Sequence, residues 1–286
     1  MRIVRFRPQR ATATGEKPVA GYGLVEGNVL HQLPDSLDGF NGFHGFKGFG
    51  GFEGTRPRRT GRTLPLDSVR LLAPVEPRLV VGMARNGEPE DRRLPPSAFL
   101  KPPGSVIGTG DPIPLPARVG RVDAEGELAV VIGRTARNLT AGDALHAVLG
   151  YTLGNDVTAR DLQPDDPLQA KGYDGFTPLG PWIETDLDAG AVDLAVSVGG
   201  RSPAVGSTAR LARGVSEILA YLTSFLTLHA GDVVLAGAPG THGPVAVGET
   251  VTISAPGLGV LTNPVVAAPT APRTPEHTRS FAKDPQ

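Results

Sequence analysis

Asp123-Ala-Glu125-Gly-Glu127-Leu-Ala-Val-Val-Ile-Gly133 is the stretch on which the reading of this chain turns. Glu127 opens onto a largely β-branched run, which predicts the entry to a buried strand. Strand side chains alternate between faces, so Asp123, Glu125 and Glu127 share one side. Like charges at that spacing repel, and little water screens them at the mouth of a buried strand. Two readings stay open on these residues alone: acids on a solvated strand end, or oxygen ligands for a hard cation. Mg2+ is the expected ion, with Mn2+ or Ca2+ as alternatives, because carboxylates are hard donors and the chain has no cysteine.

A second acidic segment lies downstream. Gly150-Tyr-Thr-Leu-Gly-Asn-Asp156 is again β-like and ends in an acid, so Asp156 completes a three-carboxylate set with coordination positions left for water and substrate. Arg160 and Gln163 follow three residues apart, and one helical turn puts both on one face. Lys171 then precedes Gly172–Trp182, a stretch so rich in turn residues that it reads as a loop.

Outward from these segments the chain reads as mostly β. Gly (38) and Pro (28) are abundant, which favours turns and short strands over long helices. A hairpin is predicted around Glu26-Gly27-Asn28, and buried strands over Val69–Leu72 and Leu79–Val81. Thr140-Ala-Gly-Asp143 has capping-box spacing ahead of a short helix over Ala144–Leu149. Val215, Ile218, Leu219, Leu222, Phe225 and Leu226 give the clearest helical period, and Ala230-Gly-Asp232 turns into a strand from Val233. Thr250–Ser254 and Gly259–Thr262 are the last strands. Residues 1–67 read as a small N-terminal domain, 68–266 as the catalytic domain and 267–286 as a disordered tail. Gly-Phe pairs recur through residues 38–54 without a helix or strand period and read as a flexible loop.

The totals exclude several functions. A net charge of -1 carries no bulk attraction for nucleic acid or anionic membrane. No run approaches the roughly 18 apolar residues of a membrane span. The missing cysteines rule out disulfides, thiolate zinc sites and cysteine nucleophiles, and a cytoplasmic location is expected.

Three ordered motifs, Glu125-Gly-Glu127-Leu-Ala-Val-Val-Ile-Gly, Gly150-Tyr-Thr-Leu-Gly-Asn-Asp-Val-Thr-Ala-Arg-Asp-Leu-Gln163 and Lys171-Gly-Tyr-Asp…Pro178-Leu-Gly-Pro-Trp182, resemble those of fumarylacetoacetate hydrolases. Thr227-Leu-His-Ala-Gly-Asp232 and Gly257-Leu-Gly-Val-Leu-Thr-Asn263 extend the likeness, which covers roughly residues 68–266. It implies an α+β, predominantly β fold: a mixed β-roll or β-sandwich catalytic domain with a small N-terminal β domain, commonly in a homodimer. It also implies a divalent metal on Glu125, Glu127 and Asp156, with Lys171, Arg160 and Gln163 toward the substrate. The implied substrate is a small 2-oxo or β-dicarbonyl acid, processed through a metal-chelated enolate by a hydrolase or lyase.

Two departures bear on the reaction. Where family hydrolases carry an Asn-Tyr-x-x-His-x-x-Glu segment that activates water, this chain reads Gly82-Met-Ala-Arg-Asn-Gly-Glu-Pro-Glu-Asp-Arg-Arg93, without histidine. Ala236-Gly-Ala238-Pro replaces the family's Thr-Gly-Thr-Pro turn. His242, where the family places a small apolar residue, is the candidate relocated acid–base group. The alternative reading keeps the metal but drops the water attack, giving an isomerase, decarboxylase or cyclase, or a ligand-binding protein without turnover.

Overall fold

The computed structural model describes residues 1–9, 18–34 and 59–269. The Gly-Phe segment and the tail beyond residue 269 lie outside the described residues.

The strand Val122–Ile132 organises the molecule. It pairs antiparallel with Val148–Asn155 on one side and with Val233–Leu235 on the other. The ladder continues from Val148–Asn155 through Thr177–Glu184 to the N-terminal strands Arg2–Pro8, Gly21–Glu26, Val29–Gln32 and Thr63–Pro65. From Val233–Leu235 it continues through Val80–Ala84 to Ser97–Lys101. A second sheet of five strands runs Ala204–Ser207, Asp193–Val198, Thr250–Ala255, Gly259–Ala267 and Ile113–Leu115.

Both faces of Val122–Ile132 are covered, which explains its continuous apolar run. Leu128, Val130 and Ile132 enter the core shared with Val196, Ile253 and Leu261 of the second sheet. Ala129 and Val131 point the other way, toward Ile3, Val80, Leu149, Leu179 and Ile183. Gly126 has the parity of the first set, and a Cβ there would collide with Val196 and lie 3.2 Å from Ile253 Cγ2. Glycine therefore lets the second sheet close on this end of the strand.

The helix Val215–Phe225 matches its predicted span and buries Ile218, Leu219 and Leu222 completely. The hairpin also forms where expected, with Gly27 at φ 59° between the paired Glu26 and Val29. Two expectations are corrected. The helix over Ala144–Leu149 is a 3-10 turn, Ala144–Ala147. Thr140 bonds the Asp143 side chain at 2.8 Å instead of capping it, and Val148 and Leu149 already belong to the next strand. The stretch Gly172–Trp182, read as a loop, contributes Thr177–Glu184, a largely buried strand between two partners. Pro181 sits where the ladder is interrupted, between Gly180 and Glu184, as register with Val148–Asn155 shifts between Tyr151 and Leu153, while Pro178 lies opposite Ile107 in a short parallel pairing. Among the described residues no helix is long and apolar enough to cross a membrane.

Candidate metal centre

The central strand already begins at Val122, so Glu125 and Glu127 lie inside it rather than at its entry, and one carboxylate oxygen from each of Glu125, Glu127 and Asp156 lies within 4.8 Å of the others. Glu125 and Glu127 come from alternate positions of one strand. Asp156 follows the last residue of the neighbouring strand, where Gly126 pairs with Asn155. Asn155 fixes that corner: its Oδ1 accepts the Glu125 N–H at 3.0 Å, and the Asp156 N–H donates to the Glu125 carbonyl at 2.9 Å.

The three acids have unequal surroundings. Asp156 is buried, and burial alone would raise its pKa, but two ammonium groups override this and hold it at about 2. Lys101 Nζ donates to Oδ1 at 2.6 Å and Lys171 Nζ donates to Oδ2. Glu125 accepts from Arg160, from Thr158 Oγ1 at 3.0 Å and from Lys171 at 3.4 Å. Glu127 is buried and accepts one peptide N–H, that of Gly237, at 2.6 Å. Burial, then the nearby Asp156 and Glu125, push its carboxyl well above the usual range. A dry carboxylate without a cationic side chain in ion-pair contact among the described residues, beside two further acids, is a site that a small divalent cation satisfies. The donors are all oxygens, which suits Mg2+ or Mn2+.

The fourth acid, Asp123, is on the same side but outside the cluster. It takes Arg121 through two hydrogen bonds of 2.8 and 2.9 Å and Arg160 Nε at 3.0 Å. Arg160 is thus spread over Asp123, Glu125 and the Gln163 side chain, the last at 3.2 Å. The turn that brings Gln163 back to Arg160 closes through the Gln163 N–H to the Arg160 carbonyl at 3.3 Å. Lys171, at the end of the short helix Pro167–Lys171, is buried with its ammonium 4.1 Å from the Phe99 ring centroid. Burial would lower its pKa, but Asp156 and Glu125 leave it raised, so it stays charged.

His242 is placed directly across the ladder from Glu125, hence on the same face, and is exposed at the rim. Its imidazole takes no hydrogen bond among the described residues. Glu88, in the segment where family hydrolases carry their histidine, is tied to Arg210 at 2.7 Å. Lys101 went unrecognised from sequence. It is fully buried, bonds Asp156 and the Val157 carbonyl, and lies 55 residues from its partner, so nothing local marks it.

Comparison with known proteins adds independent findings. The family model described as Fumarylacetoacetate (FAA) hydrolase C-terminal matches residues 74–266, and one described as Rv2993c-like, N-terminal, matches residues 1–74. Protein Rv2993c of Mycobacterium tuberculosis is 42% identical over 224 residues, covering 73% of this chain and 83% of that protein. The crystal structure of 5-carboxymethyl-2-hydroxymuconate delta-isomerase from Mycobacterium smegmatis superposes with a TM-score of 0.79 at 38% identity, over 93% of this chain and all of that one (100%). Maleylpyruvate hydrolase from Sphingobium sp. SYK-6, in complex with manganese(II) and pyruvate, gives a TM-score of 0.77 at 27% identity, over 94% of this chain and 100% of that one.

Proposed function

This chain belongs to the fumarylacetoacetate hydrolase family, and on that premise we propose that it is a divalent-metal-dependent hydrolase or lyase acting on a small 2-oxo or β-dicarbonyl acid. The observation that carries the reading is the convergence of three acids around Glu127, the buried carboxylate that no ammonium or guanidinium among the described residues contacts directly. Mg2+ or Mn2+ held by Glu125, Glu127 and Asp156 would polarise a substrate carbonyl oxygen and stabilise the negative charge that develops there.

The chain's own residues supply the rest. Lys101 and Lys171 keep Asp156 ionised and fix both of its oxygens. Lys171 is nearly buried and holds its positive charge beside the cluster, where it favours an anionic substrate over a neutral one. Arg160 is about a quarter exposed, with its guanidinium shared among Asp123, Glu125 and Gln163, and the N–H groups left over would serve a substrate carboxylate. His242, on the rim, is the group assigned to move a proton between bound acid and solvent.

Glu127→Gln tests this reading. It keeps the side chain's size and its capacity to accept from Gly237 while removing the charge. Calorimetric titration with Mn2+ and turnover of β-dicarbonyl acids should both fail in the variant, and undiminished Mn2+ binding would refute the assignment. A second reading follows from the loop Gly82–Arg93, which lacks histidine and whose Glu88 is engaged by Arg210. Such a site favours isomerisation or decarboxylation over attack by water. Turnover in H2(18)O decides between them: label in a product carboxylate supports the hydrolase, and unlabelled product supports the alternative.

A further inference from the structure

Resting on the assignment of Glu127 as a metal ligand, we propose that Asn86 is a positioning residue for the metal centre, acting through the peptide unit that joins Ala236 to Gly237. The N–H of that peptide belongs to Gly237 and donates to Glu127 Oε2 at 2.6 Å. Its carbonyl belongs to Ala236 and accepts from Asn86 Nδ2 at 2.8 Å. One rigid plane is therefore held at both ends, by Glu127 on one side and Asn86 on the other. A hydrogen bond to the carbonyl also polarises the amide and strengthens its N–H as a donor.

Asn86 is anchored well enough to serve as a reference point. It is buried, and its side chain also donates to the Arg213 carbonyl at 3.0 Å and accepts the Arg213 N–H at 2.9 Å. These contacts fix the orientation of its amide, since two carbonyls demand the NH2 and an N–H demands the oxygen. Its own carbonyl accepts from the Ala212 N–H at 3.1 Å. Three segments that are remote in sequence thus meet at one side chain.

The backbone shows how tightly this junction is drawn. Gly237 has φ +107°, and a Cβ there would lie 3.2 Å from Asn86 Cβ. A Cβ on Gly87 would strike the Ala238 carbonyl. Arg85, just before Asn86, takes φ +52°, a left-handed conformation costly for a long side chain. Strain immediately ahead of a fully hydrogen-bonded asparagine indicates that the placement of Asn86 is what the loop conformation preserves. The Ala236-Gly-Ala238 turn, which lacks hydroxyl groups, contributes to the site through its backbone.

The test compares the Mn2+ dissociation constants of Asn86→Ala, Asn86→Asp and Arg92→Ala by calorimetry, with Glu127→Gln as reference. Arg92 ties the same loop to Glu217 at 2.7 Å and to the Ala212 carbonyl at 2.6 Å without touching the 236–237 peptide, so its loss reports loosening of the loop alone. Both Asn86 variants should weaken Mn2+ about tenfold, the usual effect of losing a group that orients a ligand, while Arg92→Ala stays within twofold of the parent. Asn86→Asp retains the acceptor for the Arg213 N–H and supplies the result if Asn86→Ala does not fold. Parent-like Mn2+ affinity in a folded Asn86 variant, with Glu127→Gln impaired, overturns the inference alone. Parent-like affinity in Glu127→Gln overturns the ligand assignment and this inference with it. Equal weakening by Arg92→Ala overturns it too, since general loosening then accounts for the effect.

Discussion

Lys101 shows why single residues at this centre differ in cost. Its ammonium is sealed from water and shares Asp156 with Lys171. Lys101→Met leaves a buried carboxylate with one counter-charge removed, and urea unfolding should register a loss of about 3 kcal/mol. Combining it with Asp156→Asn should recover part of that loss, because the buried carboxylate is gone and Lys171 still pairs with Glu125 at 3.4 Å. Asp123 gives the pH dependence. Burial would raise its pKa, but hydrogen bonds from Arg121 and Arg160 bring it below the ordinary value. A carboxyl depressed in the folded state stabilises the fold above its unfolded pKa of roughly 3.9, and this is lost as pH falls through the folded value. Asp123→Asn should therefore flatten the stability–pH curve below about pH 4, as measured by thermal melts across an acid series. At this scale the sequence was legible where two acids alternate along one strand and a third follows the end of the next: Glu125, Glu127 and Asp156 meet as their spacing suggests. Asn86 and Lys101 were not legible, since their partners are distant in the chain and only the tertiary fold supplies them.

Among elements, the strand Val122–Ile132 has the least tolerance. Gly126→Ala inserts a methyl group against Val196 and Ile253 and should destabilise by about 1–3 kcal/mol through overpacking. Because Gly126 separates two of the proposed ligands, the same variant should also lose Mn2+ affinity, and calorimetry on the folded fraction checks this. The helix Val215–Phe225 and the strands around Val233 and Thr250 were readable because each has a clean period or a turn at its start. Thr177–Glu184 was hidden by Pro178, Gly180 and Pro181, residues that signal turns unless two neighbouring strands enclose them.

For the molecule as a whole, the first strand is bound into the sheet that carries Glu125 and Glu127. Ile3 pairs with Ile183 and lies in the core formed with Leu179 and Val233. Trp182, the sole tryptophan, sits at this seam, its Nε1–H donating to the Gly257 carbonyl at 3.1 Å and the Arg2 guanidinium 4.7 Å from its ring centroid. Indole fluorescence therefore reports the join between the N-terminal strands and the rest. In urea it should change together with far-UV circular dichroism, and Ile3→Ala should move both midpoints alike with a loss of about 3 kcal/mol. Separate transitions would mean that the N-terminal strands unfold by themselves.

The two-sided burial of the central strand has a consequence for how its alignment is chosen. From Leu128 onward both faces are greasy, so sliding that run by one position against its neighbours would expose nothing to water. Discrimination falls instead to the strand's threshold, where Gly126 must face the second sheet and Glu127 must face away from it. The acids proposed to hold the metal thus also act as the notch that sets the strand in place, and bleaching them to alanine or leucine would invite misthreading as well as the loss of Mn2+ binding.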